Sequence, residues 1–419
     1  MLLMITSGSC LLWNLVQLLV RDLPFSLIAD SLPHVGDKTL RYQLLRLWND
    51  FTTISQQDQN IPRGNKKGIY GPSYNVLGCP YDPPHSYPYS WNAIQILSNW
   101  PVDSLDLPKS IYQALCVFDY RTDRDKALRY RSQELPFVVQ GHPGVLQTVK
   151  RWSNPNYLPT LLGSTPHRTE ISNSSLYLYW LHPRLAQQRS SRPKEFYVPP
   201  AGWKPPTEMR RMSYQQYMDA KVSNKSFHYF QIAACGDVSK CEDGSVEWLF
   251  DELPYFQPRT DSLFVVEQTK QKGVHCRFGK PGLSIGTCSK MMSRDVTNKM
   301  MAHQCVQLAS HFDGSRNAIA ILKGARRYLL AHPRECPRLG LYPMGHPSAR
   351  HSRLDWRTNP PRNALLSEII LQAGDVLYLP THWFHMIVTL EDTIQCNTRS
   401  GIDSRHLRTL QGCGFENEF

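Results

Sequence analysis

Gly374-Asp375-Val376-Leu377-Tyr378-Leu379-Pro380-Thr381-His382-Trp383-Phe384-His385 packs a turn, a strand and a candidate metal ligand into one short run. A Gly-Asp turn launches the apolar segment Val376–Leu379. Pro380 then ends its ladder pairing, because proline has no N–H to give, and aromatic residues bracket the terminal histidine. Working back along the chain, a second element of this kind is His311-Phe312-Asp313, just ahead of the apolar run Ala318–Leu322. Residues i and i+2 of a strand share a face, so His311 and Asp313 point one way and Phe312 the other. Two imidazoles and one carboxylate brought to one end of a barrel make a facial triad with open coordination positions for iron chemistry. His382 competes with His385 for the distal place. A His-x-Asp triplet arises easily by chance, so the reading rests on the two elements together.

Outward from these motifs, short apolar runs recur at Leu135–Val139, Leu176–Trp180, Phe227–Ala233, Leu263–Val266, Tyr328–Ala331, Ile369–Leu371, Met386–Leu390 and Thr393–Cys396. They are too short for helices and are broken by Gly, Pro or charge, which predicts strands and a β-rich domain from residue 134 onward, a barrel or sandwich. Ahead of it the signals are helical around Leu40, Leu44, Leu45 and Leu47, then irregular over Ile61–Tyr89, which holds six prolines. Trp91–Leu115 reads as short helices broken at Pro101 and Pro108, and Asp123–Glu134 as a polar helix.

The chain has 419 residues, 41% of them hydrophobic, which excludes intrinsic disorder as its class. Its net charge of +12 is spread thinly, densest at Lys126–Arg131, Arg189–Lys194 and Arg210–Arg211, so it reads as solvated basic surface and not as a specific nucleic-acid site. The 11 cysteines follow no CxxC spacing and read mostly as buried thiols, which favours an intracellular setting. Met1–Val20 carries no charged side chain and suits a signal anchor, a cleaved signal or a merely apolar start equally well. The absence of a P-loop, a GxGxxG turn and a GxSxG elbow leaves phosphoryl transfer, nicotinamide redox and serine hydrolysis without support.

Six pieces carry a family resemblance: ELPFVV (134–139), HFDGSRN (311–317), LKGARR (322–327), GHPSARHSRLDW (345–356), GDVLYLPTHWFH (374–385) and QCNTRSG (395–401). Together they resemble a JmjC/cupin-like domain over residues 134–402. The branch is that of Fe(II)- and 2-oxoglutarate-dependent dioxygenases, which includes the asparaginyl hydroxylase acting on hypoxia-inducible factor. The resemblance implies a mainly β fold, a double-stranded β-helix of the jelly-roll or cupin type. To it are added an apolar segment (1–30), a helical and Pro-rich N-terminal extension (31–133) and a tail (403–419). Through Asn99–Tyr120 it also suggests that the extension wraps the barrel.

The same resemblance implies His311, Asp313 and His385 as ligands of Fe(II), with 2-oxoglutarate and O2 as cosubstrates. Arg326 stands where the family commonly has a lysine for the far carboxylate of 2-oxoglutarate, with Lys323 and Arg327 as neighbours able to serve. A guanidinium suits the task through two parallel hydrogen bonds. Tyr229 resembles the family tyrosine on that carboxylate, and Asn317 and Asn397 the asparagines near the chelating end. The implied activity is hydroxylation of a protein or peptide side chain, with N-methyl-lysine demethylation the lesser variant and a non-catalytic ligand-binding scaffold the alternative. One stretch departs from the family: Thr287–Ser310, rich in Met, intervenes between the Gly-containing RFGKPGLSIG segment (277–286) and His311. A helix, an inserted loop and a reading-frame error all fit it.

Overall fold

In the computed structural model, two β-sheets face each other. The structure describes residues 45–46, 79–108, 110–173, 176–177, 180, 204–205, 207–222, 226–235, 246–258, 262–281, 284–285 and 310–415. The Met1–Val20 segment, nearly all of the expected helix around Leu44, and Thr287–Ser310 except Ser310 itself lie outside these residues. Among the described residues no helix is long and apolar enough to cross a membrane.

The first sheet runs β1 (Trp91–Asn92), β13 (Leu365–Gln372), β12 (Ala325–Ala331), β15 (Phe384–Thr389), β9 (Ser284–Ile285) and β5 (Leu176–Tyr177), and β10 (His311–Phe312) also pairs with β15. The second runs β2 (Val117–Asp119), β3 (Phe137–Gln140), β14 (Val376–Leu379), β11 (Arg316–Lys323), β16 (Thr393–Ser400), β8 (Gln271–Gly279), β7 (Phe227–Ala234), β4 (His167–Ser172) and β6 (Glu208–Met212). All pairings are antiparallel except β2 with β3 and β5 with β9. Strands adjacent in sequence alternate between the sheets, β11 to β12 and β14 to β15, which is the double-stranded β-helix the motifs predict.

The β11–β12 crossing turns on Gly324, at φ +69°, where an added Cβ would lie 2.3 Å from the Asp392 carbonyl oxygen. That turn fixes the facing of β12. Arg326, Tyr328 and Leu330 point into the barrel, where Arg326 and Tyr328 reach across to Gln395 on the other sheet. Arg327 and Leu329 point outward. There the outer face of the first sheet is sealed by the helix Ala93–Asn99 and by Trp100, which is fully buried. Arg327 stacks 4.2 Å from the Trp100 ring and pairs with buried Glu368 at 2.5 Å. The residues just before the barrel thus contribute strands to both sheets, through β1 on β13 and β2 on β3. The outer face of the second sheet is covered by the amphipathic helix Pro143–Trp152 and by the helix Tyr157–Leu162.

Several local expectations need correction. Leu263–Val266 is not a strand: the Ser262 hydroxyl accepts from the N–H groups of Phe264 and Val265 and turns the chain there. Conversely β4 (HRTEIS), β6 (EMRRM) and β8 (QKGVHCRFG) are strands that apolar runs did not reveal, because they alternate polar with apolar residues or lie at an edge. In Trp91–Leu115 one helix forms, Ala93–Asn99, capped by the Asn92 side chain and ended ahead of Pro101. The polar helix forms over Arg124–Ser132. The cysteines are not all thiols: Cys79–Cys116, Cys276–Cys396 and Cys336–Cys413 are disulfides. Cys276 and Cys396 are cross-strand neighbours on β8 and β16, and sequence spacing alone does not disclose that register.

Candidate metal centre

At one end of the barrel β10 lies antiparallel to β15 with His311 opposite His385. This register sets the two imidazoles 4.2 Å apart, centroid to centroid. Asp313 follows as the strand leaves the sheet, and its backbone carbonyl accepts from the His382 N–H at 3.0 Å. His311, Asp313 and His385 each offer a donor atom within 4.8 Å of the others, and they are the metal-competent cluster of His, Cys, Asp and Glu found among the described residues.

The protonation state of this cluster suits a cation. Burial, with its neighbouring imidazoles, holds His311 well below its ordinary range, and burial lowers His385 as well, so both are neutral at neutral pH. Burial alone would raise the Asp313 carboxyl. Arg399, whose guanidinium lies 2.8 Å from Oδ1, and the two histidines outweigh it, and the carboxyl stays ionised. His385 Nδ1 donates to the Trp383 carbonyl at 3.1 Å, which leaves the Nε2 lone pair facing Asp313 Oδ2 at 3.9 Å. His311 Nδ1 is buried without a hydrogen-bond partner. Two neutral imidazoles and one carboxylate that meet this way fit a divalent transition metal with N/O preference, iron among them.

His382 does not join the cluster. Its backbone sits at φ +69° and its ring packs edge-on against Phe312. His351, stacked 4.8 Å from His311, and His346, stacked 4.0 Å from Tyr342, are buried beside the mouth.

Beneath the triad, Asn317 donates to Asp313 Oδ2 at 3.0 Å, and Asn397 donates to Asn317 Oδ1 at 2.9 Å. The two asparagines therefore form one chain of amides that ends on the carboxylate. Deeper in the barrel Arg326 is fully buried, donating to Thr393 at 3.0 Å and Gln395 at 2.6 Å, with its guanidinium carbon 6.0 Å from the Tyr229 ring centroid. One terminal nitrogen, Nη2, has no partner, and no carboxylate of the described residues pairs with it. A buried cation with an unpaired nitrogen is suited to hold an anion. Of the alternatives, Arg327 lies on the outer face with Glu368, and Lys323 is exposed at the turn.

Three participants escaped the sequence reading. Arg399 on Asp313, Gln395 between Arg326 and Tyr328, and Arg277 on Asn397 all owe their place to cross-strand register. Arg277 and Arg399 lie inside the RFGKPGLSIG and QCNTRSG segments, and period-2 facing from Asn397 is the signal that picks out Gln395 and Arg399.

A family model described as a cupin-like domain matches residues 126–398 of the chain.

Proposed function

The chain belongs to the cupin-like domain family, and from that premise we propose that it is an Fe(II)- and 2-oxoglutarate-dependent dioxygenase that hydroxylates a side chain of a protein or peptide. The observation that carries this reading is the sharing of one barrel interior by the His311–Asp313–His385 cluster and the buried Arg326 with no carboxylate of its own. When bound, iron and 2-oxoglutarate supply oxidation of a C–H bond by O2, with 2-oxoglutarate converted to succinate and CO2.

The chain's own residues set the stage for that chemistry. His311, Asp313 and His385 would hold the metal from one side, with His385 fixed in the binding tautomer by the Trp383 carbonyl. Arg326, assisted by Tyr229, would take the distal carboxylate through its unpaired nitrogen. Asn317 and Asn397 orient Asp313 through their amide chain. Ile319, Ile321, Leu330 and Ile387 are buried apolar residues of the same strands and keep bulk water from the interior. Neither a general base nor a nucleophile is required among the side chains. Side-chain hydroxylation, the activity of the asparaginyl hydroxylase branch, is preferred over demethylation because the sequence carries no Zn-finger Cys/His spacing beside the barrel.

A second reading, a barrel that binds a ligand without oxidising it, draws on one observation: Arg399 already neutralises Asp313 Oδ1. Turnover separates the two. Full-length protein with Fe(II), ascorbate and 2-oxoglutarate is expected to release succinate slowly on its own and faster with a peptide substrate from a library, which gains one oxygen by mass. A scaffold releases none above the His385→Ala background.

A further inference from the structure

The interior contains a second guanidinium whose position the triad and Arg326 do not explain. Arg277 lies on β8 opposite Gln395 of β16 and Gln231 of β7, half-buried, and donates to Asn397 Oδ1. Through Asn397 and Asn317 it is two amides removed from Asp313. Through Gln395, its register partner, it neighbours Arg326. Arg277 also lies within electrostatic reach of Tyr328, whose pKa burial nevertheless raises. Yet no carboxylate of the described residues pairs with it. Glu170, which also feels its charge, is instead held by Arg168 at 2.8 Å and Gln231 at 3.0 Å. Two guanidiniums facing one interior, Arg326 from the first sheet and Arg277 from the second, neither matched by a carboxylate of the described residues, make a cavity electrostatically suited to a dianion.

We propose that Arg277 is a second anion-binding residue of the barrel, which receives the carboxylate at the metal-facing end of a 2-oxo dicarboxylic acid while Arg326 receives the other. Arg277 thus acts as a specificity-determining residue for the cosubstrate, and this deepens, and depends on, the dioxygenase reading. Alignment of a guanidinium with the Asn317–Asn397 amide chain explains why Asn397 turns its oxygen to Arg277 and its NH2 to Asn317. An amide wedged between a cation and a ligand-bearing amide relays the orientation of Asp313, so Arg277 is connected to the metal cluster without touching it.

The two ends can be probed separately by calorimetry on the full-length protein loaded with Mn(II), which supports binding without turnover. Oxalate reproduces only the metal-facing end of the cosubstrate, and 2-oxoglutarate reproduces both. Arg277→Gln is expected to weaken oxalate and 2-oxoglutarate alike, by about 10- to 100-fold, the range for a lost charge-assisted contact. Arg326→Met is expected to weaken 2-oxoglutarate over the same range and leave oxalate unchanged. Arg277→Lys, which keeps the charge, recovers most of the loss, and Mn(II) affinity in the absence of either acid falls by much less than oxalate affinity.

The proposal is overturned if Arg277→Gln leaves oxalate binding unchanged, or if it lowers Mn(II) affinity as much as oxalate affinity, which would make Arg277 a support of the metal cluster alone. A wild-type protein that takes up Mn(II) but neither acid defeats the dioxygenase reading as well, and that outcome is distinct from the other two.

Discussion

His385 Nε2 lies 3.9 Å from Asp313 Oδ2 while the opposite nitrogen of the same ring is tied to the Trp383 carbonyl. The imidazole is thereby locked in tautomer and in aim before any ion arrives. His382, three residues earlier, has a buried ring turned to Phe312. The expected outcome is that His385→Ala loses Mn(II) or Co(II) affinity beyond the roughly 10- to 100-fold that removal of an outer-shell partner costs. His382→Ala should hold its metal within a few-fold of wild type. Calorimetric titration of both variants checks this, and equal losses would return the distal ligand to dispute.

Arg326 is the buried cation expected to meet the distal carboxylate. Arg326→Met should weaken 2-oxoglutarate about 10- to 100-fold, and Arg326→Lys should restore affinity to within about tenfold, because the charge is kept and the two-pronged geometry lost. Equilibrium binding of 2-oxoglutarate to the metal-loaded protein reads both.

On the outer face of the same strand, Arg327 is buried against Glu368 and Trp100, and Glu368 also accepts from the Tyr112 N–H at 2.9 Å. Glu368→Gln strands the guanidinium and should cost about 3–5 kcal/mol in urea unfolding. Replacement of both members by Leu and Met should cost less than the sum of the single changes. A strictly additive double variant would mean the pair is not coupled.

How much of this was legible beforehand follows from where each residue gets its meaning. His311 and Asp313 are legible because their neighbours in sequence mark strand and face, whereas His385 stands out from His382 only through the family pattern. Arg326 and Tyr229 were reached only through the family resemblance, and their 6.0 Å approach is a tertiary fact. Arg277 and Arg399 were invisible as participants, since β8 meets β16 across more than a hundred residues of chain and register alone sets Arg277 beside Asn397. The Cys276–Cys396 disulfide has the same origin. The polar strands β4 and β6 fail every apolar-run test, because one lines a charged interior around Glu170 and the other is an exposed edge.

Away from the site, His142 caps the helix Pro143–Trp152, accepting from the Val145 N–H, and its ring packs on Tyr120, Tyr255 and Phe264. Burial pushes its pKa down from 6.5 to about 4. The unfolded chain therefore takes up a proton near pH 6.5 that the folded one refuses until about pH 4. Its contribution to stability is complete above pH 6.5 and is lost as the pH falls through this window. His142→Asn keeps a capping oxygen and does not titrate, so its melting temperature should fall less steeply between pH 6.5 and 4 than that of the wild type. Parallel slopes would assign the acid sensitivity to other groups.

On the proposed function, one barrel interior assembles both an iron site and a 2-oxo acid site. Anaerobic titration of the full-length protein with Fe(II) and 2-oxoglutarate tests it without knowledge of the substrate. A visible metal-to-ligand charge-transfer band is expected in the wild type and not in His385→Ala. A correctly folded wild-type protein that shows no such band at saturating Fe(II) and 2-oxoglutarate would contradict the proposed function.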